Sequence, residues 1–187
     1  RVGFSPPPFR DWATVLRIGP EVRALLSVAA ALQAAIGGAS MTILPLFLAA
    51  EPLSFTATSI GMLSAGLAGV GIAVVQPFAV FADKFGRRVA IGMGGATMGL
   101  SLAAVPLVGT PAAVAGALAC AALGQNLLAP SVSAQLVDTV ARTNPAAVTQ
   151  AMSLLRSVQD IGMLSGASIV GAIGTQYGFT AAYEASG

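Results

Sequence analysis

The chain has 187 residues, of which 56% are hydrophobic and 9% charged, with 9 Lys and Arg against 7 Asp and Glu. Soluble domains carry about 25% charged residues, so this composition excludes an ordinary soluble globule and points to a polytopic membrane protein. There is no His, and the single Cys120 lies in an apolar run, which excludes a disulfide framework and a Cys/His metal site.

Residues 1–23 differ in character from the rest of the chain. Ser5-Pro6-Pro7-Pro8 cannot be helical, because each proline fixes its backbone dihedral and removes a donor. Arg10, Asp11, Trp12, Arg17, Glu21 and Arg23 then stud a moderately apolar stretch. This pattern predicts a cytoplasmic linker and a short interfacial helix, with Trp12 at headgroup level. A signal peptide is excluded, since a compact basic start and a small-residue cleavage site are missing. The chain opens on Arg, not Met, and is read as cut from a longer one.

From residue 24 onward we expect an all-α transmembrane bundle of five complete spans, at about 24–50, 58–82, 89–105, 112–137 and 147–175, with an incomplete sixth from about 179. A spanning helix needs about 20 apolar residues. The first span is longer than that, with Gly37-Gly38 and Pro45 as places to bend, and Glu51-Pro52 ends it. The second carries small residues at every fourth position (Gly61, Ala65, Gly69, Ala73), a stripe expected to let another helix approach closely. Gln76 beside Pro77 is expected to mend a kink. The uncharged run 89–137 is too long for one helix and breaks at Pro106-Leu107-Val108-Gly109-Thr110-Pro111, a turn signal. A loop over 138–146 precedes the fifth span.

Charge sits where the spans end. Asp83, Lys84, Arg87 and Arg88 fall within six residues, between an upstream run of 31 and a downstream run of 49 uncharged residues. Gly86 lets the chain reverse there at low steric cost. If spans alternate in direction, the N-terminal segment, the 83–88 turn and the 138–146 loop share one side and hold eight of the nine basic residues. That side is then cytoplasmic. The ninth, Arg156, lies inside the fifth span with Asp160 four residues on, so the two share a helix face. Intramembrane charges are expensive and usually functional. Two readings stay open for this intramembrane charge pair: a proton or substrate site, or a mutually neutralising structural pair.

The segment Ala82-Asp83-Lys84-Phe85-Gly86-Arg87-Arg88 resembles the loop motif of the major facilitator superfamily, G-x-L-[AG]-D-[RK]-x-G-[RK]-[RK]. It departs at the first position, where Ala79 stands for Gly, and at the third, where Phe81 stands for Leu. Arg156-x-x-x-Asp160-x-Gly162-x-x-x-Gly166 is similar to a stretch in helix 11 of drug- and sugar-efflux members, with Ala167 where that pattern has Pro. The resemblance covers essentially the whole chain, as helices 7 to 11 and the start of helix 12. It implies the C-terminal six-helix half of a fold of two halves that rock about a central site, truncated here after five complete helices. The partners implied are the lipid bilayer, a small-molecule substrate and the missing N-terminal half.

The resemblance also assigns roles. Asp83, Lys84, Gly86, Arg87, Arg88 and Asp138 become a cytoplasmic gating latch, against the plainer reading that the basic residues only set topology. Gln33, Gln125 and Asn126, uncharged polar residues deep in the first and fourth spans, become candidate substrate-cavity residues, against plain interhelical hydrogen bonding. The function implied is secondary active transport by alternating access in the cell membrane, in the form of proton-coupled efflux of drug-like or sugar-like compounds. An uptake carrier, or a non-transporting scaffold or decayed fragment, is the alternative. No phosphate loop, metal-ligand cluster, or serine or cysteine with a histidine partner points to an enzyme, a metal or a cofactor, and nucleic-acid binding does not fit basic residues set along a membrane face.

Overall fold

The computed structural model describes residues 9–38, 44–49, 54–108 and 110–177. Among them the chain is helical, with no strand. The proline-rich opening, the Glu51-Pro52 end of the first span and the incomplete sixth span lie outside the described residues.

Helix α1 (Phe9–Arg17) ends just before Gly19, and Pro20 opens α2 (Pro20–Ala35) at a position whose N–H needs no partner. A π turn extends α2 to Gly38. Helix α3 (Leu44–Ala49) carries Pro45, and residues 39–43 before it lie outside the described ones. The glycine pair lies in the π turn, close against α7. A Cβ on Gly38 would come within 2.6 Å of Val170 Cγ2, and one on Gly37 within 2.9 Å of Met163 Cγ.

Helix α4 (Ala57–Phe85) starts at Thr56, whose hydroxyl accepts the Ser59 N–H at 3.2 Å. It runs through Pro77 without ending. The Gln76 side chain is exposed and makes no hydrogen bond to a described residue, so its expected mending role is not seen. Gly86 follows with φ 94°, a conformation that favours glycine, and α5 (Arg87–Ala104) begins at once. A 3-10 turn over Val105–Leu107 leads to α6 (Pro111–Thr143), which opens on a Thr110 cap and Pro111. Asp138 and Arg142, expected in a loop, belong to the last turns of α6. Backbone hydrogen bonding, not the edge of the apolar run, sets the helix end; a basic side chain suits a C-terminus, and Pro145 stops continuation. A 3-10 turn over Pro145–Ala147 leads into α7 (Val148–Tyr177).

Four helices are long and apolar enough to cross a membrane, at Pro20–Gly38, Ala57–Phe85, Arg87–Leu107 and Pro111–Thr143. Helix α7 is long enough at 30 residues, but its described residues are too polar for that set. The chain is thus an all-α polytopic bundle, and α6 is its centre, packed against α5, α4, α2 and α7. Its Leu128, Val132, Leu136 and Val140 are buried with Leu25 and Leu26 of α2, Met98 of α5 and Leu155 of α7.

In lipid, helices associate by close packing and not by the hydrophobic effect, and small residues sit at the crossings. A Cβ on Gly94 of α5 would lie 2.8 Å from the Gly124 carbonyl oxygen of α6. Gly162 and Gly166 of α7 lie against the carbonyls of Ala30 and Ala34 of α2. The predicted stripe on α4 plays no such part among the described residues: none of them lies within 4 Å of a Cβ at Gly61 or Gly69, and Ala65 and Ala73 are exposed. Helix α4 turns its other face inward, through Leu63, Leu67, Gly71, Phe78 and Ala82. Only 11% of its most apolar stretch is buried, against 44% for α2. The small-residue pattern was real, but the bulkier face won the contact with α6.

Candidate functional site

The N-terminus of α2, the α4–α5 turn and the last turns of α6 meet at one end of the bundle. The positive φ of Gly86 places Arg87 and Arg88 in the first turn of α5, where the helix dipole is unfavourable to cations. Acceptors from two other helices offset this. Arg87 Nη1 donates to Asp138 Oδ2 and to the Ala134 carbonyl, the latter at 2.9 Å. Arg88 Nη2 donates to Glu21 Oε1 at 2.8 Å, and Gln135 Nε2 donates to the same oxygen at 3.0 Å. The Arg88 side chain is 78% exposed, so its pair with Glu21 belongs to the class worth about 0–1 kcal/mol.

The six turn residues expected to act together are therefore divided. Arg87, Arg88 and Asp138 are paired within the chain, and Gly86 sets the turn. Asp83 and Lys84 are exposed and form no ion pair among the described residues. The Lys84 ammonium stands 5.7 Å from the Phe85 ring centroid, and that ring lies 4.7 Å from Phe81.

A cavity of about 570 Å³ opens between α4, α5 and α6. Its polar groups are Ser64 on α4 and the neighbouring Gln125 and Asn126 on α6; Leu67, Met98 and Leu118 are among its apolar walls, and among the described residues no charged one lines it. Asn126 Nδ2 donates to the Ala122 carbonyl one turn back at 2.8 Å, leaving its oxygen as an acceptor. The Gln125 amide makes no hydrogen bond to a described residue. Gly71 lets α4 approach this point, since a Cβ there would sit 3.0 Å from Asn126 Nδ2.

The structure brings Gln125 and Asn126 to this cavity but not Gln33. That residue is half-buried on α2, which packs on α7 and α6 and has no comparable contact with α4. Arg156 and Asp160 do not line it either. Both are exposed on α7, and no ion pair joins them among the described residues. Their spacing puts the two on one helix face without joining them.

The family model of the Major Facilitator Superfamily matches residues 26–187, from the second turn of α2 onward. The chain belongs to the Major Facilitator Superfamily. It is accordingly a membrane transporter protein by family, and superfamily members are transporters, not enzymes. No curated protein and no solved structure shows significant similarity to this superfamily member.

Sequence reasoning missed Glu21, Gln135 and Ser64 in these sites. Glu21 lies 67 residues from Arg88 and 114 from Gln135, so neither contact leaves a local pattern. The one available signal was Gln135 standing three residues before Asp138, on the same helix face.

Proposed function

We propose that this superfamily member is the C-terminal half of a proton-coupled efflux transporter in the cell membrane, acting on an uncharged, largely apolar solute by alternating access. The cavity between α4, α5 and α6 carries this reading. Its volume of about 570 Å³ lies in the range of small-molecule sites, which are mostly apolar with a few polar groups that fix orientation. Ser64, Gln125 and Asn126 supply such groups. A sugar would leave many hydroxyls desolvated and unpaired against walls like Leu67 and Leu118, at a cost of about 1–3 kcal/mol each. A drug-like solute fits better than a sugar-like one.

The charged end is then the cytoplasmic end, in keeping with its excess of Arg and Lys. Asp83 and Lys84 are the members of the turn left to latch onto the N-terminal half. Asp160 is the proton site on this reading: its carboxylate is exposed on α7 and is not tied to Arg156, and a charge within a span is costly enough to mark a functional position.

The test uses the full-length protein in proteoliposomes with an imposed pH gradient. Gradient-driven extrusion of Nile Red, an uncharged lipophilic dye, is expected. Asn126→Ala should raise KM about tenfold, the loss of a hydrogen bond worth about 1 kcal/mol plus the contacts of the amide. Gln125→Glu, which puts a charge in the cavity, should stop dye flux. Saturable glucose flux with no dye flux would overturn the proposal.

A further inference from the structure

We infer that Glu21 is a positioning residue of the transport cycle, holding the 83–88 turn in the orientation that presents Asp83 and Lys84 outward. The inference rests on the reading of that turn as a latch. It goes beyond that reading by assigning a role to a residue that lies outside both the loop motif and the stretch matched by the family model, which begins at residue 26.

Three observations carry it. First, the start of α5 is held from two directions. Arg87 ties it to α6 through Asp138 and the Ala134 carbonyl, and Arg88 ties it to α2 through Glu21. The first tie runs along the packed face of α5 and α6, and the second joins the turn to a helix that α5 otherwise barely touches. Second, Glu21 is itself held. Gln135 of α6 donates to the same oxygen that Arg88 uses, so the carboxylate is a junction of α2, α5 and α6. Third, the helix that bears Glu21 has little slack behind it, because only Ile18 and Gly19 separate it from α1. A cavity of about 250 Å³ lies beneath, walled by Ala24, Leu25 and Val28 of α2 and Ile91 of α5. The ion pair therefore bridges a gap between two helices that barely touch.

Because Arg88 is exposed, the tie is weak, and its loss should bias the conformational equilibrium and not unfold the protein. A bias of about 0.5–1 kcal/mol corresponds to a change of about two- to fivefold in the ratio of two states.

The experiment uses the full-length protein in membrane vesicles. A reporter cysteine replaces Ala122 at the cavity in a Cys120→Ala background, and a membrane-impermeant maleimide is applied from each side. The ratio of the two labelling rates reports which way the cavity opens. Asp83→Asn tests the latch. Glu21→Gln and Arg88→Gln test the tie, and Glu21→Arg with Arg88→Glu tests rescue; Gln135 can accept from an arginine through its amide oxygen.

We expect Asp83→Asn, Glu21→Gln and Arg88→Gln each to shift the ratio about two- to fivefold in one direction. The double Glu21→Gln/Arg88→Gln should add nothing to either single change, and the reversed pair should restore the starting ratio at unchanged net charge. A shift by Asp83→Asn with none by Glu21→Gln would overturn the inference and leave the latch standing. A lowered melting temperature for Glu21→Gln with an unmoved ratio would reduce Glu21 to a structural contact and overturn it as well. A shift by Glu21→Gln with none by Asp83→Asn would support the tie and remove Asp83 from the latch. No shift by either would sink both.

Discussion

The close crossing of α5 and α6 offers a direct test of the packing on which both sites stand. At Gly124 of α6, an added Cβ would lie 2.6 Å from the Met98 nitrogen, 2.7 Å from the Gly94 oxygen and 3.0 Å from the Met98 Cα. All three are backbone atoms of α5, so no side chain can swing aside. Gly124→Ala must push α5 and α6 apart by several tenths of an ångström. A gap of that order forfeits about a quarter to a half of the dispersion energy of each contact it opens, and overpacking of this kind costs about 1–3 kcal/mol. The control is Gly116→Ala on the same helix, where no described residue lies within 4 Å. Both changes gain the same intrinsic helix preference for Ala over Gly, about 1 kcal/mol, so their difference isolates the clash. At about 2–4 °C per kcal/mol for a chain of this size, Gly124→Ala should melt about 2–12 °C below Gly116→Ala in detergent-solubilised full-length protein. Melting points within a degree of each other would refute the crossing.

Three further outcomes are expected. Thr56→Cys should react with an impermeant maleimide only from outside and Arg142→Cys only from the cytoplasm; the reverse pattern would invert the proposed orientation. Asp138→Ala strands the Arg87 guanidinium, 28% exposed, with only the Ala134 carbonyl, so stability should fall by about 1–3 kcal/mol, and Arg87→Asp with Asp138→Arg should recover part of it. Asp160→Asn should abolish gradient-driven dye efflux while dye exchange without a gradient persists.

Much of this protein was legible in its sequence because membrane insertion is governed by one-dimensional quantities. A span is a run of apolar residues of sufficient length, and the backbone inside it must be helical to satisfy its own hydrogen bonds. The all-α class, the turn at Gly86 and the breaks at Pro106 and Pro145 follow from such local rules. What the chain does with its faces did not follow. On α4 the small stripe at Gly61 and Gly69 and the bulkier row through Leu67 and Phe78 were both candidates for contact, and only the position of α6 selected between them. Gln33, Gln125 and Asn126 looked alike as polar residues in apolar runs. The tertiary structure separated them, because α4 and α5 leave a cavity beside α6 while α2 turns toward α7. Arg156 and Asp160 had the right spacing to pair, yet spacing fixes only where two Cβ atoms stand, not whether the side chains meet. Glu21 shows the limit most clearly: its partners lie 67 and 114 residues away, and nothing local in a sequence records a contact made by folding three helices to one end.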